Sequence, residues 1–218
     1  LVKPSEKPGP GQIREGNTLH LAAMVRAAGA EVRACGVVPD DPLSLREAFT
    51  EALEKGDVLI STGGVSMGEY DFVGSALKEC GVEEIFHKVA IKPGKPVWFG
   101  ALFDKLVFGL PGNPVSCLVG HEVFVRPALA KLGGADEREQ APRITRARWC
   151  AAPPRAMDRQ QNLPVELAPG SDGVPEARPV RWKGSADLVG LSRAGALAIV
   201  PANATFETGA LVDLRPLG

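Results

Sequence analysis

Three short stretches gather the residue types that hold oxyanions. The first, Ser61-Thr62-Gly63-Gly64-Val65-Ser66-Met67-Gly68-Glu69-Tyr70-Asp71, combines glycines with hydroxyls and two acids. Gly63, Gly64 and Gly68 let backbone N–H groups come close to an anion, and Thr62 and Ser66 add hydroxyl donors. Two carboxylates beside a bare phosphate would repel it, so Glu69 and Asp71 suit a phosphate that arrives with Mg²⁺. The glycines also suit a plain turn and Asp71 a helix cap, and neither role excludes the other. The second stretch, Lys92-Pro93-Gly94-Lys95-Pro96, sets two lysines three positions apart between prolines, which lowers the entropy lost on gripping an anion. The third, Gly109-Leu110-Pro111-Gly112-Asn113-Pro114-Val115-Ser116, carries Pro111, Gly112, Asn113 and Ser116 into a helix start. Asn113 as N-cap and Pro114 after it explain that start without a ligand. Three such loops in one stretch of chain nevertheless point to a single cleft.

The elements around these loops alternate. Leu19, Leu21, Ala22, Met24, Val25 and Ala28 have helical spacing, with Asn17 placed to cap and Gly29 to stop. Residues 31–38 read as a strand, Pro39-Asp40-Asp41-Pro42 as a turn, and residues 43–55 as a helix closed by Gly56. The run Val58-Leu59-Ile60 suits a strand buried on both faces, and residues 72–80 resume helical spacing up to Gly81. Residues 97–101 and 106–110 form a hairpin about Phe103-Asp104-Lys105, and a last helix from Val115 must kink or end at Pro127. The alternation predicts an α/β unit with a mostly parallel sheet covered on both faces, whose ligands lie at the carboxyl ends of strands. After Gly134 short Gly- and Pro-punctuated segments predict strands near residues 143–150, 163–167, 180–182, 196–201 and 210–215. The boundaries expected are 1–134 for the α/β domain and 135–218 for a small all-β, barrel-like domain.

Composition narrows the partners. The 25 Lys and Arg nearly cancel the 26 Asp and Glu, which leaves no global field for nucleic acid or an acidic membrane. No apolar run approaches the roughly 20 residues that span a bilayer. Cys35, Cys80, Cys117 and Cys150 are dispersed, as are His20, His87 and His121, so neither set has metal-ligand spacing, and a reduced cytoplasm is expected.

TGGVSMGEYDF at 62–72, KPGKP at 92–96 and LPGNPVS at 110–116 resemble the MoeA/gephyrin E-domain family in content, order and spacing. The resemblance implies a three-layer α/β/α MogA-like domain followed by a small barrel. It also implies a molybdopterin molybdenumtransferase that inserts molybdate into adenylylated molybdopterin, with Mg²⁺ present and AMP released. Family roles then fall on Glu69 and Asp71 at the metal, on Lys92 and Lys95 as anion-binding and catalytic lysines, and on Thr62, Gly63, Gly64, Ser66, Gly68, Pro111, Gly112, Asn113 and Ser116 as pterin or phosphate contacts. A homodimer and a MogA-type adenylyltransferase partner are also implied. The alternatives are a non-catalytic pterin-binding scaffold and a CinA-like pyrophosphate hydrolase. Where the family has Tyr-Asp-Ser/Thr-Asn, this chain has Arg14-Glu15-Gly16-Asn17, and it is expected to lack the family's preceding domains and the first strand of the α/β unit.

Overall fold

The computed structural model describes residues 1–33, 36–65, 72–136, 143–181 and 183–217. Helix α1 spans Asn17–Ala27 and α2 spans Pro42–Lys55. In α2, Leu45, Phe49 and Leu53 recur every fourth residue and are buried, so one stripe faces inward. Each such side chain contributes about 1.5–3 kcal/mol by leaving water. Strand β1 (Val58–Thr62), helix α3 (Phe72–Glu79), strand β2 (Glu83–His87) and the two-residue β3 (Ile91–Lys92) follow. A hairpin of β4 (Trp98–Leu102) and β5 (Lys105–Leu110) leads into α4 (Pro114–Gly120).

The first sheet has the order β1-β5-β4-β2. Side chains that alternate along its strands feed two cores: Val107 and Trp98 join α2 and α3, whereas their neighbours Phe108 and Phe99 join Leu21 of α1 and Cys117 of α4. Helices therefore cover both faces, as a three-layer α/β/α unit requires. The sheet is not mostly parallel among the described strands, because β1 runs parallel to β5 while β4 and β2 pair antiparallel. A tight hairpin can join only antiparallel strands, and that fixes β4 against β5. Nor is β1 buried on both faces; among the described strands it lies at the sheet edge, and it is half-buried throughout. No strand forms over the described part of residues 31–38, where Val37 is exposed and Gly36 has φ of 89°.

The helix that begins at α4 changes register midway. Residues His121–Val125 form a π-turn, and α5 (Arg126–Leu132) follows directly. Pro127 has no N–H to offer the carbonyl four residues back, so the ladder widens just before it instead of stopping. Gly120 permits the close approach to the sheet, since a Cβ there would lie 2.8 Å from Leu110 Cδ2.

The remaining strands are β6 (Thr145–Trp149), β7 (Gln160–Ala168), β8 (Glu176–Pro179), β9 (Ala196–Val200) and β10 (Leu211–Pro216), with the short helix α6 (Leu188–Leu191) between β8 and β9. Pairing of β7 with both β8 and β9 closes them into a small barrel. Its interior is lined by Ala147, Ala177, Ala196 and Ala198 around Trp149, small residues that suit a narrow bore. The strand expected at 180–182 lies earlier, at β8, where Pro179 ends it, and Trp182 is outside the described residues. The two parts interlock: β3 pairs parallel with β7 at Gln160 and Gln161, and Ile91, Val115 and Val119 share a core with Leu191 and Leu197. Among the described residues no helix is long and apolar enough to cross a membrane.

Candidate functional site

β1 delivers Thr62 to the edge of the first loop, where Gly63 and Gly64 take φ of 83° and 67°, angles that side-chain-bearing residues avoid. The Gly63 N–H donates to the Leu110 carbonyl at 3.0 Å, continuing the β1–β5 ladder one residue past the end of β1. Gly112 lies over the same point, since a Cβ on it would be 3.4 Å from Gly63 Cα. The first and third loops are therefore in contact at their roots. From α1, Asn17 Nδ2 donates to the Gly112 carbonyl at 2.7 Å and to Thr62 Oγ1 at 3.4 Å. Asn17 was expected to cap its helix; instead Glu15 Oε1 accepts the Thr18 N–H at 2.8 Å, because the N-cap residue, Gly16, has no side chain to offer.

The lysine loop joins the same corner. Gly94 is buried with φ of 111°, and a Cβ on it would meet Ile91 Cδ1 at 3.1 Å and the Ser116 carbonyl at 3.7 Å. The loop thus lies on the first turn of α4 and leaves Lys92 and Lys95 exposed. Lys92 Nζ is 3.3 Å from Met157 Sδ, a soft contact that uses one of an ammonium's three donors. Pro111 and Ser116 are buried at the root of α4, and Gly112 and Asn113 are exposed at its tip. Asn113 occupies the N-cap position of α4, yet its side chain makes no capping hydrogen bond. The Val115 N–H is satisfied from the barrel side, by the Ser185 carbonyl at 3.0 Å.

Thr62, Gly63, Gly64, Lys92, Lys95, Pro111, Gly112, Asn113 and Ser116 therefore sit on loops that meet around the start of α4. Ser66, Gly68, Glu69 and Asp71 lie outside the described residues. Magnesium needs hard oxygen donors. Among the described residues no group of three or more His, Cys, Asp and Glu side chains gathers to hold an ion, and the Glu15 carboxylate is occupied by the α1 cap. These residues alone do not make a magnesium site.

What the arrangement can do is bind. Loops bearing backbone amides, hydroxyls, an uncommitted amide side chain and two exposed lysines meet at one corner. Cys117 is no nucleophile, because burial, with the Glu15 carboxylate adding to it, pushes its thiol up to about 12. Sequence reasoning missed the contributions of Asn17, Met157 and Ser185. Only the last two come from the barrel, and a backbone carbonyl leaves no side-chain signature to find. Two mainly apolar clefts, of about 290 and 480 Å³, lie around His20 and Leu188, and no glycine or lysine of the three motif loops lines them.

Comparison with known proteins gives these loops a context. Residues 2–131 match a family model described as a probable molybdopterin binding domain, and residues 146–217 match one for the MoeA C-terminal region (domain IV). A molybdopterin molybdenumtransferase of Nostoc sp. is 41% identical over 128 residues, covering 57% of this chain and 29% of that protein. One from Staphylococcus aureus is 31% identical over 205 residues, covering 94% of this chain and 48% of that protein. The chain thus spans about half or less of the length of these curated relatives. The crystal structure of a molybdopterin biosynthesis MoeA protein from Pyrococcus horikoshii superposes with a TM-score of 0.82 at 31% identity, covering 99% of this chain and 51% of that one.

Proposed function

Because the chain belongs to the molybdopterin-binding family, in the MoeA branch that carries a C-terminal barrel, we propose that it grips the pterin of a molybdopterin molybdenumtransferase. The observation that carries this reading is the convergence on α4. Gly63 is bonded to Leu110, Gly112 is stacked on Gly63, and Gly94 lies against Ser116. One phosphate-bearing molecule can touch all three loops there.

In this reading the substrates are adenylylated molybdopterin and molybdate, and AMP is released. Cleavage of the adenylate by water leaves two phosphate anions where there had been one linked pair, so negative charge grows locally. The N–H groups of the glycine loop and the lysines Lys92 and Lys95 meet that charge from fixed positions. Thr62, Ser66, Asn113 and Ser116 orient the pterin and its phosphate, with Gly64, Gly68, Pro111 and Gly112 shaping the walls. Glu69 and Asp71 carry the hard carboxylate oxygens that would hold magnesium beside the phosphate. The division between α/β domain and barrel is placed after Gly134. A homodimer, a MogA-type adenylyltransferase as supplier of the substrate, and a cytoplasmic location complete the reading.

The test is direct. The full chain, given adenylylated molybdopterin, molybdate and Mg²⁺, should release AMP, and Lys95→Ala and Asp71→Ala should each slow release by about tenfold or more. Absence of AMP release, or variants as fast as the parent, would remove the transferase reading.

A further inference from the structure

The first turn of α1 reaches two of the three loops. Asn17 stands 95 residues from Gly112 and 45 from Thr62 in sequence, yet its amide donates to both. A primary amide has two hydrogens, and this one spends them on two different loops. The Gly63–Leu110 hydrogen bond fixes the roots of those loops, two residues short of Gly112. The tip, Gly112-Asn113, is exposed and is where the ligand is proposed to touch.

We infer that Asn17 is a positioning residue that pins this tip and turns the Thr62 hydroxyl toward the ligand, while Glu15 fixes the helical turn from which Asn17 reaches. The ligand half of this inference rests on the pterin reading above; the pinning half does not. An oxygen that accepts from Asn17 keeps its own hydrogen to give, so Thr62 becomes a donor, the polarity a phosphate oxygen needs. At 3.4 Å that contact is weak, and the 2.7 Å bond to Gly112 is the anchor. Glu15 supplies what Gly16 cannot, a carboxylate on the Thr18 N–H at the start of α1. The longer side chain found where the related family has Asp therefore serves the helix end instead of the ligand. An Asp at position 17 would set a carboxylate oxygen against the Gly112 carbonyl and repel it.

Hydrogen exchange across the full chain tests the pinning, and titration with molybdopterin tests its consequence. Asn17→Ala should speed exchange in 62–65 and 111–116 by about fivefold or more while leaving α2 and the barrel strands unchanged. It should weaken molybdopterin binding by about tenfold, consistent with the loss of one hydrogen bond and a loosened loop. Asn17→Asp, of the same size, should do the same. Glu15→Asp should preserve both properties, and Glu15→Ala should lose part of each. Unchanged exchange in 111–116 in Asn17→Ala overturns the inference, as does exchange that rises everywhere at once. Faster loop exchange in a chain whose parent form does not bind molybdopterin would keep the pin and sink the pterin reading.

Discussion

The N-termini of α2 and α4 solve one problem in opposite ways. Both are preceded by a residue suited to cap and both have proline at the first helical position. At α2 the local rule holds: Asp41 Oδ1 accepts the Ser44 N–H at 3.0 Å, and this contact draws the Asp41 carboxyl below its ordinary range. At α4 it does not. Asn113 leaves its helix uncapped, the barrel supplies Ser185 to Val115, and two other loops crowd the same turn. A helix end that is only structural can look after itself. The end of α4, where the ligand is proposed to sit, keeps its capping side chain available and borrows satisfaction from distant chain.

Beyond the far end of α4, in the π-turn, charge is buried. Glu122 is held between His121 at 3.1 Å and Arg126 at 2.9 Å, and its carbonyl accepts from Arg215 Nη1 of the barrel at 3.1 Å. Glu122→Ala should destabilise the chain by about 3 kcal/mol in urea unfolding, because Arg126 and His121 lose their anionic partner. The surface pair Glu51–Lys55 of α2 is the contrast, and Glu51→Ala should leave the midpoint unmoved. Next in size is Gly64→Ala, which forces a side chain onto φ of 67° with its Cβ 2.4 Å from Val73 Cγ2. It should cost about 1–3 kcal/mol and weaken molybdopterin binding together.

The capping residues then separate the two ends. Asp41→Ala should lower the melting temperature by roughly 2–4 °C with molybdopterin binding intact. Asn113→Ala should do the reverse, keeping the melting temperature and weakening the binding. Equal thermal losses in the two variants would mean that Asn113 caps after all.

The smallest effect is in pH. Burial pushes the Glu122 carboxyl up, but its bonds to His121 and Arg126 outweigh this and leave it below its ordinary value of 4.5. A depressed carboxyl stabilises the fold above that value and loses the contribution as pH falls through its folded value. His20, lowered from 6.5 by burial and then by His121, behaves likewise: its contribution is complete above pH 6.5 and fades below it. Stability against pH should therefore show a shallow acid decline beginning near 6.5 that His20→Leu removes, and a steeper one below 4.5 that Glu122→Gln lessens, the other depressed carboxyls such as Asp41 keeping the rest.

Much of this was legible in the residues. The α2 stripe of Leu45, Phe49 and Leu53, its cap, the β4–β5 hairpin and the disturbance at Pro127 all follow from local rules. The motif loops could be found because glycines, prolines and lysines at strand ends carry a strong local signal. Three features were not legible. Edge exposure of β1 depends on which strands neighbour it, and nothing in Val58-Leu59-Ile60 reports that. Asn17 carried the signature of a cap, and its real partners are distant in sequence. The link between the two parts runs through a two-residue strand and the backbone of Ser185, neither of which has a periodicity or a side chain to betray it.

If one pterin touches all three loops at the start of α4, a hydrogen-exchange footprint of molybdopterin on the full chain will show it. Slowed exchange is predicted together at 62–64, 92–95 and 112–116, with α2 unaffected. Protection limited to the clefts around His20 and Leu188, or to one loop alone, would contradict it.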